Sequence, residues 1–106
     1  MDVLRQPSTE RLFSVASCWE IAIKYARGRL PLTLPPDLYL PVRLRSTLTT
    51  LLPIEFEHVI RVASLPHLHG DPFDRLLAAQ ALIQDLPLVT ADQRFSEYGV
   101  TVIPAL

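Results

Sequence analysis

Three observations in this sequence predict an α/β domain with a mostly parallel sheet. Short apolar runs at Leu12 to Ala16, Leu86 to Thr90 and Val100 to Ile103 have strand length, and they alternate with helix-length patterns. The segment from Pro72 to about Asp85 reads as a helix that is nearly all apolar. Between Leu76 and Ile83 only Gln80 is polar, so this helix must pack on more than one side. Acids stand just past strand ends or at helix heads, where ligands of open α/β sheets gather.

The 106 residues suit a single domain. A hydrophobic content of 49 % is high for a free-standing domain of this length, so part of the apolar surface is expected to face a partner. The net charge of −1 excludes a general electrostatic grip on nucleic acid but not a local cluster. Lys24 is the only lysine; the other basic residues are arginines. Cys18 stands alone, which excludes an intrachain disulfide and a cysteine zinc cage and suits a reducing cytoplasm. No apolar run approaches the ~20 residues of a membrane span, and there is no signal-peptide core. The expectation is a cytoplasmic globular protein.

Met1 to Glu10 is polar and reads as a loop. After the strand at Leu12 to Ala16, Ser17 and Glu20 fit a capping box that opens a helix running to about Arg27. Gly28 is suited to end it, and Trp19, Ala22, Ile23 and Ala26 form its apolar stripe. Three prolines between Leu30 and Pro36 force an extended connection. Pro36-Asp37 opens a second helix reaching Arg43 to Arg45. Thr49 to Ile54 is β-like, and Glu55 to Ser64 is helical with Phe56, Val59, Ile60 and Ala63 on one face. Leu65 to Gly70 is a loop. Pro72 fits the first position of the next helix, where a missing N–H costs nothing. Ala91 to Tyr98 reads as a loop with a helical turn.

Glu20, Asp74 and Asp92 all fall near strand carboxyl ends on this reading. Convergent carboxylates suit a hard divalent cation such as Mg²⁺ or Mn²⁺. Each also has a structural reading. Glu20 fits the capping box and can pair with Lys24 at i+4. Asp74 suits a helix's first turn or a pair with Arg75. Asp92 can cap the turn that follows it. Asp71, just before Pro72, reads first as an N-cap. His67 and His69 have metal-compatible chemistry but no cysteine partners.

Three stretches carry a family resemblance: Ser17-Cys18-Trp19-Glu20-Ile21-Ala22-Ile23-Lys24, Asp71-Pro72-Phe73-Asp74-Arg75-Leu76-Leu77, and Leu88-Val89-Thr90-Ala91-Asp92 with Tyr98-Gly99-Val100. Together they closely resemble PIN-domain ribonuclease toxins of the VapC type, from type II toxin–antitoxin systems. The resemblance runs roughly from Leu12 to Ile103. It implies a three-layer α/β/α fold and Mg²⁺-dependent (or Mn²⁺-dependent) cleavage of RNA by metal-activated water. It further implies a cognate VapB-type antitoxin and a homodimer. By resemblance Glu20, Asp74 and Asp92 are metal-binding acids, with Thr90 as a supporting hydroxyl and Asp71 behind them. Lys24 or Arg75 would position phosphate or pair with the neighbouring acid. The family's first strand, central in its sheet and ending in an acid, has no counterpart here. The expectation is therefore a PIN-like domain N-terminally truncated relative to the family and lacking that strand and acid. It is either a working endoribonuclease or an inactive remnant that keeps an antitoxin-binding or dimerisation surface.

Overall fold

The computed structural model describes residues 2–5, 11–68 and 70–105. Five strands form one sheet: β1 (Val3–Arg5), β2 (Arg11–Ser14), β3 (Thr49–Leu52), β4 (Leu88–Thr90) and β5 (Val102–Pro104), in the order β3-β2-β1-β4-β5. The helices are α1 (Val15–Ala26), α2 (Pro36–Ser46), α3 (Phe56–Arg61) and α4 (Pro72–Gln84), with 3₁₀ turns at Val62–Ser64 and Gln93–Tyr98.

The α/β expectation holds, and the centre of the sheet differs from it. β2 pairs with β3 and β4 with β5 in parallel, and β1 lies antiparallel to both β2 and β4, so four of the five strands run the same way and β1 alone makes the sheet mixed. Residues 3–5, read as part of a loop, thus occupy the central position that was expected to be missing. The reason is physical. Facing edges on β2 and β4 would leave rows of backbone N–H and C=O groups unpaired, and Val3-Leu4-Arg5 pairs with both. Leu4 is fully buried opposite Leu12 and Leu88. The remainder of the expected N-terminal loop, residues 1 and 6–10, lies outside the described residues.

Alternation along the strands separates two faces. Leu4, Leu12 and Leu88 point to one side, where they join Leu77, Ala78, Ala79 and Ala81 of α4 in the core. Burying a leucine such as Leu77 contributes roughly 1.5–3 kcal/mol. The alanines let the helix approach the sheet closely, which makes α4 the helix buried on several sides that its sequence requires. Val3, Arg5, Arg11 and Val89 face the other way, where α2 supplies Arg43 and Thr47 to the same cleft. Helices therefore lie on both sides, as three layers require.

Helix α1 starts three residues earlier than expected. Ser14, not Ser17, is its N-cap: Ser14 has an extended backbone (φ −68°, ψ 139°) and its Oγ accepts from the Ala16 N–H. The same hydroxyl donates to Gln80 Oε1 in the core. Ser17 has no such second partner, so the cap falls where one side chain serves both the helix and the core. The expected apolar stripe of α1 is also displaced. Ala16 is the buried residue, while Ala22 and Ala26 are exposed and Trp19 is 57 % exposed with its ring edge-on to Phe73 at 5.0 Å.

In α3 the expected apolar face turns outward. Phe56, Val59 and Ile60 are exposed, and the buried residue is His58. His58 Nδ1 accepts from the Glu55 N–H at 2.9 Å, which makes Glu55 and His58 a reciprocal cap of this short helix. Gln80 is the polar residue of α4 because it completes this buried network. Its Oε1 accepts from Ser14 and its Nε2 donates to the Pro53 carbonyl at 3.3 Å. Gln84 lies 3.2 Å from His58 Nε2.

Candidate active site

The head of α4 is built as its sequence indicates. Asp71 is the N-cap, its Oδ1 accepting from the N–H groups of Phe73 (2.9 Å) and Asp74 (3.1 Å), and Pro72 follows at the first helical position. The negative caps stabilise the positive end of the helix dipole. Asp74, half-buried in the first turn, is thereby held at a fixed place.

Asp92 lies two residues beyond β4. Its backbone N–H donates to Thr90 Oγ1 at 3.1 Å, so the buried Thr90 is a support for the Asp92 turn. The Asp92 carboxylate caps the 3₁₀ turn by accepting from the Arg94 N–H at 3.0 Å. It also receives the Arg94 guanidinium at both oxygens: Nε to Oδ1 at 3.0 Å and Nη2 to Oδ2 at 2.7 Å. The hydrogen bond and charge of Asp92, followed by the charges of Asp74 and Glu97, hold the Arg94 pKa above its ordinary value. Asp74 and Asp92 therefore lie within the field of one arginine that the sequence reading did not single out.

Glu20 sits inside α1, not in a capping box, and its Oε2 pairs with Lys24 Nζ at 3.2 Å. It lines a cavity of about 460 Å³ with Ile23, Lys24, Arg27, Asp71 and Phe73. The structure thus brings Glu20 and Asp71 to one cavity and pairs Asp92 with Arg94, whose charge also feels Asp74. Among the described residues, no three of histidine, cysteine, aspartate and glutamate come together to hold a metal ion. The oxygen donors are of the type Mg²⁺ prefers, but Lys24 and Arg94 already neutralise two of them. In this arrangement the residues do not fit a metal centre.

Arg75 serves the fold. It is buried, donates to the carbonyls of Pro66 (2.7 Å) and Val62 (3.1 Å), and stacks over Tyr98 with 5.9 Å to the ring centroid. That geometry ties the loop before α4 to the helix and leaves phosphate positioning to other cations. Burial pushes the Cys18 thiol up, which keeps it protonated and makes it a poor nucleophile. His67 is exposed, and His69 lies outside the described residues.

A stretch of 47 residues is 45 % identical to Ribonuclease VapC16 of Mycobacterium tuberculosis (strain ATCC 25618 / H37Rv). It covers 44 % of this chain and 33 % of that relative, so the match spans about a third of the relative's length. A family profile described as the PIN domain matches residues 2–100, a span containing Glu20, Asp71, Asp74 and Asp92 and all but the last strand of the sheet. The chain belongs to the PIN domain family.

Proposed function

We propose that this chain is a VapC-type endoribonuclease toxin of a type II toxin–antitoxin pair, with RNA phosphodiester bonds as its substrate and a VapB-type protein as its antitoxin. The observation that carries this reading is the placement of Asp74 and Asp92. They come from the head of α4 and from just past the carboxyl end of β4, and the charges of both act on Arg94. Asp92, just past a strand's carboxyl end, occupies the position where α/β sheets do their chemistry. Family membership and the ribonuclease named among its relatives support the substrate class. Thr90 and Asp71 hold the two acids in place; Glu20 and Lys24 line the neighbouring cavity.

A second reading is favoured by a specific observation: two candidate acids are already paired with their own cations, and no three acids converge. On that reading the chain is catalytically inactive and acts by holding an antitoxin or a second copy. Exposed apolar side chains support such contacts, with Phe56 at 75 %, Ile60 at 57 % and Leu38 at 53 % exposure. No helix among the described residues is long and apolar enough to cross a membrane, which is compatible with action in the cytoplasm.

The deciding experiment incubates the purified chain and Asp74→Asn with structured RNA and Mg²⁺ or Mn²⁺. Cleavage that disappears in Asp74→Asn supports the nuclease. No cleavage together with stable capture of the antitoxin supports the remnant. Equal cleavage by both proteins removes Asp74 from the site.

A further inference from the structure

We propose that the cleft between the sheet and α2, away from the candidate active site, binds the phosphate backbone of single-stranded RNA through Arg5, Arg11 and Arg43. The identity of the ligand as RNA rests on the ribonuclease reading; the need for an anion rests on the cleft itself.

Arg5 and Arg11 are direct cross-strand partners in the antiparallel pair of β1 and β2. Such partners share one face with Cβ atoms roughly 5 Å apart, a position where like charges repel. Both side chains line a cavity of about 460 Å³, which Arg43 of α2 enters from the opposite side. Thr47 and Thr49 line it as well, with Val89 and Ile103 forming an apolar floor. No carboxylate contributes to that lining among the described residues, and none of the three guanidinium groups makes an ion pair there. Lys24 and Arg94 are both paired with their own acids, whereas among the described residues this cluster has no acid paired with it.

One opposing effect is reduced. The cleft lies beside the carboxyl end of α2, where exposed carbonyls would repel an anion. Here the Arg43 carbonyl accepts from Ser46 Oγ (3.0 Å), Thr47 Oγ1 (2.8 Å) and the Thr47 N–H (3.1 Å), so it does not face the cleft bare. Against the remaining partial charge stand three full cations. Arginine forks match phosphate oxygens in pairs. Two forks on the sheet face and a third from α2 fit successive phosphates better than one small anion. The apolar floor suits the faces of unpaired bases.

The test is binding of a labelled single-stranded RNA by fluorescence anisotropy in EDTA, which separates binding from metal-assisted cleavage. Each phosphate contact contributes about −0.7 to the slope of log K against log salt. Arg5, Arg11 and Arg43 together therefore supply a slope of about −2, which corresponds to roughly a 20-fold change in affinity over a fourfold change in salt. Arg11→Ala/Arg43→Ala is expected to flatten the slope by about 1.4. Arg43→Ala alone, on an exposed helix position, guards against misfolding and should flatten it by about 0.7. Three outcomes overturn the proposal: unchanged RNA binding in the arginine variants, no RNA binding by the parent chain, or oligoglutamate displacing the RNA as well as unlabelled RNA does. A parent chain that binds RNA through these arginines but never cleaves it would sink the nuclease reading and leave this one standing.

Discussion

Replacing Gln80 with leucine tests whether the buried polar network or the surrounding apolar packing positions α4. Gln80 is fully buried, with its Oε1 on the Ser14 hydroxyl and its Nε2 on the Pro53 carbonyl. Gln80→Leu leaves that hydroxyl and that carbonyl without their partner. An unsatisfied buried group costs about 1–3 kcal/mol; Ser14 is buried, whereas Pro53 is exposed and its carbonyl can turn to water. A net loss of about 1–3 kcal/mol is expected, which for a domain of this size lowers Tm by roughly 4–24 °C at about 4–8 °C per kcal/mol. Equilibrium unfolding in urea, followed by far-UV circular dichroism, measures it. The decisive comparison is Ser14→Ala/Gln80→Leu. If the hydroxyl–amide contact is real, the double variant is less damaged than the sum of the singles by about 1–3 kcal/mol. Strict additivity, or a Gln80→Leu chain as stable as the parent, refutes the network.

Other perturbations have equally definite outcomes. Asp71→Ala removes the α4 cap and should cost about 1 kcal/mol in urea unfolding, with Asp71→Asn recovering most of it. Arg11→Ala relieves the like-charge pair with Arg5 and should raise stability by about 0.2–1 kcal/mol; a lower Tm would show that Arg11 has a stabilising partner. Glu20→Gln breaks only a half-exposed pair, so unfolding should move by less than about 1 kcal/mol, while RNA cleavage falls if Glu20 belongs to the site. Cys18 should react with iodoacetamide more slowly in the native chain than in urea. Because its folded pKa is raised above the ordinary 9.0, the native state holds the proton more tightly. Cys18 therefore takes nothing from stability below that value and subtracts from it as pH rises toward the folded pKa.

The parts of the fold legible in the sequence were those marked by local chemistry. Pro72 after Asp71 announced the head of α4, and the apolar run behind it announced a helix buried on several sides. Pro36 opened α2 in the same way. What escaped depended on partners distant in sequence. β1 has only three residues and exists because two other strands need it. Ser17 with Glu20 matched a capping box, but Ser14 won because Gln80 waits above it. The apolar face of α3 was correctly grouped, yet periodicity does not say whether such a face meets the core or solvent. At the site, Asp71, Asp74 and Asp92 were legible as turn and cap residues, and Thr90 only through the family resemblance. Arg94 was not, because its importance comes from folding back on Asp92.

The antiparallel strand at the centre also governs the order in which the molecule can assemble. β3-β2 and β4-β5 are two separate parallel pairs, and only Val3–Arg5 stitches one to the other. Val3 reaches its partner Val89 across nearly the whole sequence, so the sheet closes late, after most of the chain has been made. Long-range closure of this kind slows folding and prolongs the exposure of open strand edges. A chain emerging from synthesis would carry two half-sheets awaiting one seam. Anything that captures either edge first, including a second chain offering its own Val3–Arg5, would compete directly with the native fold.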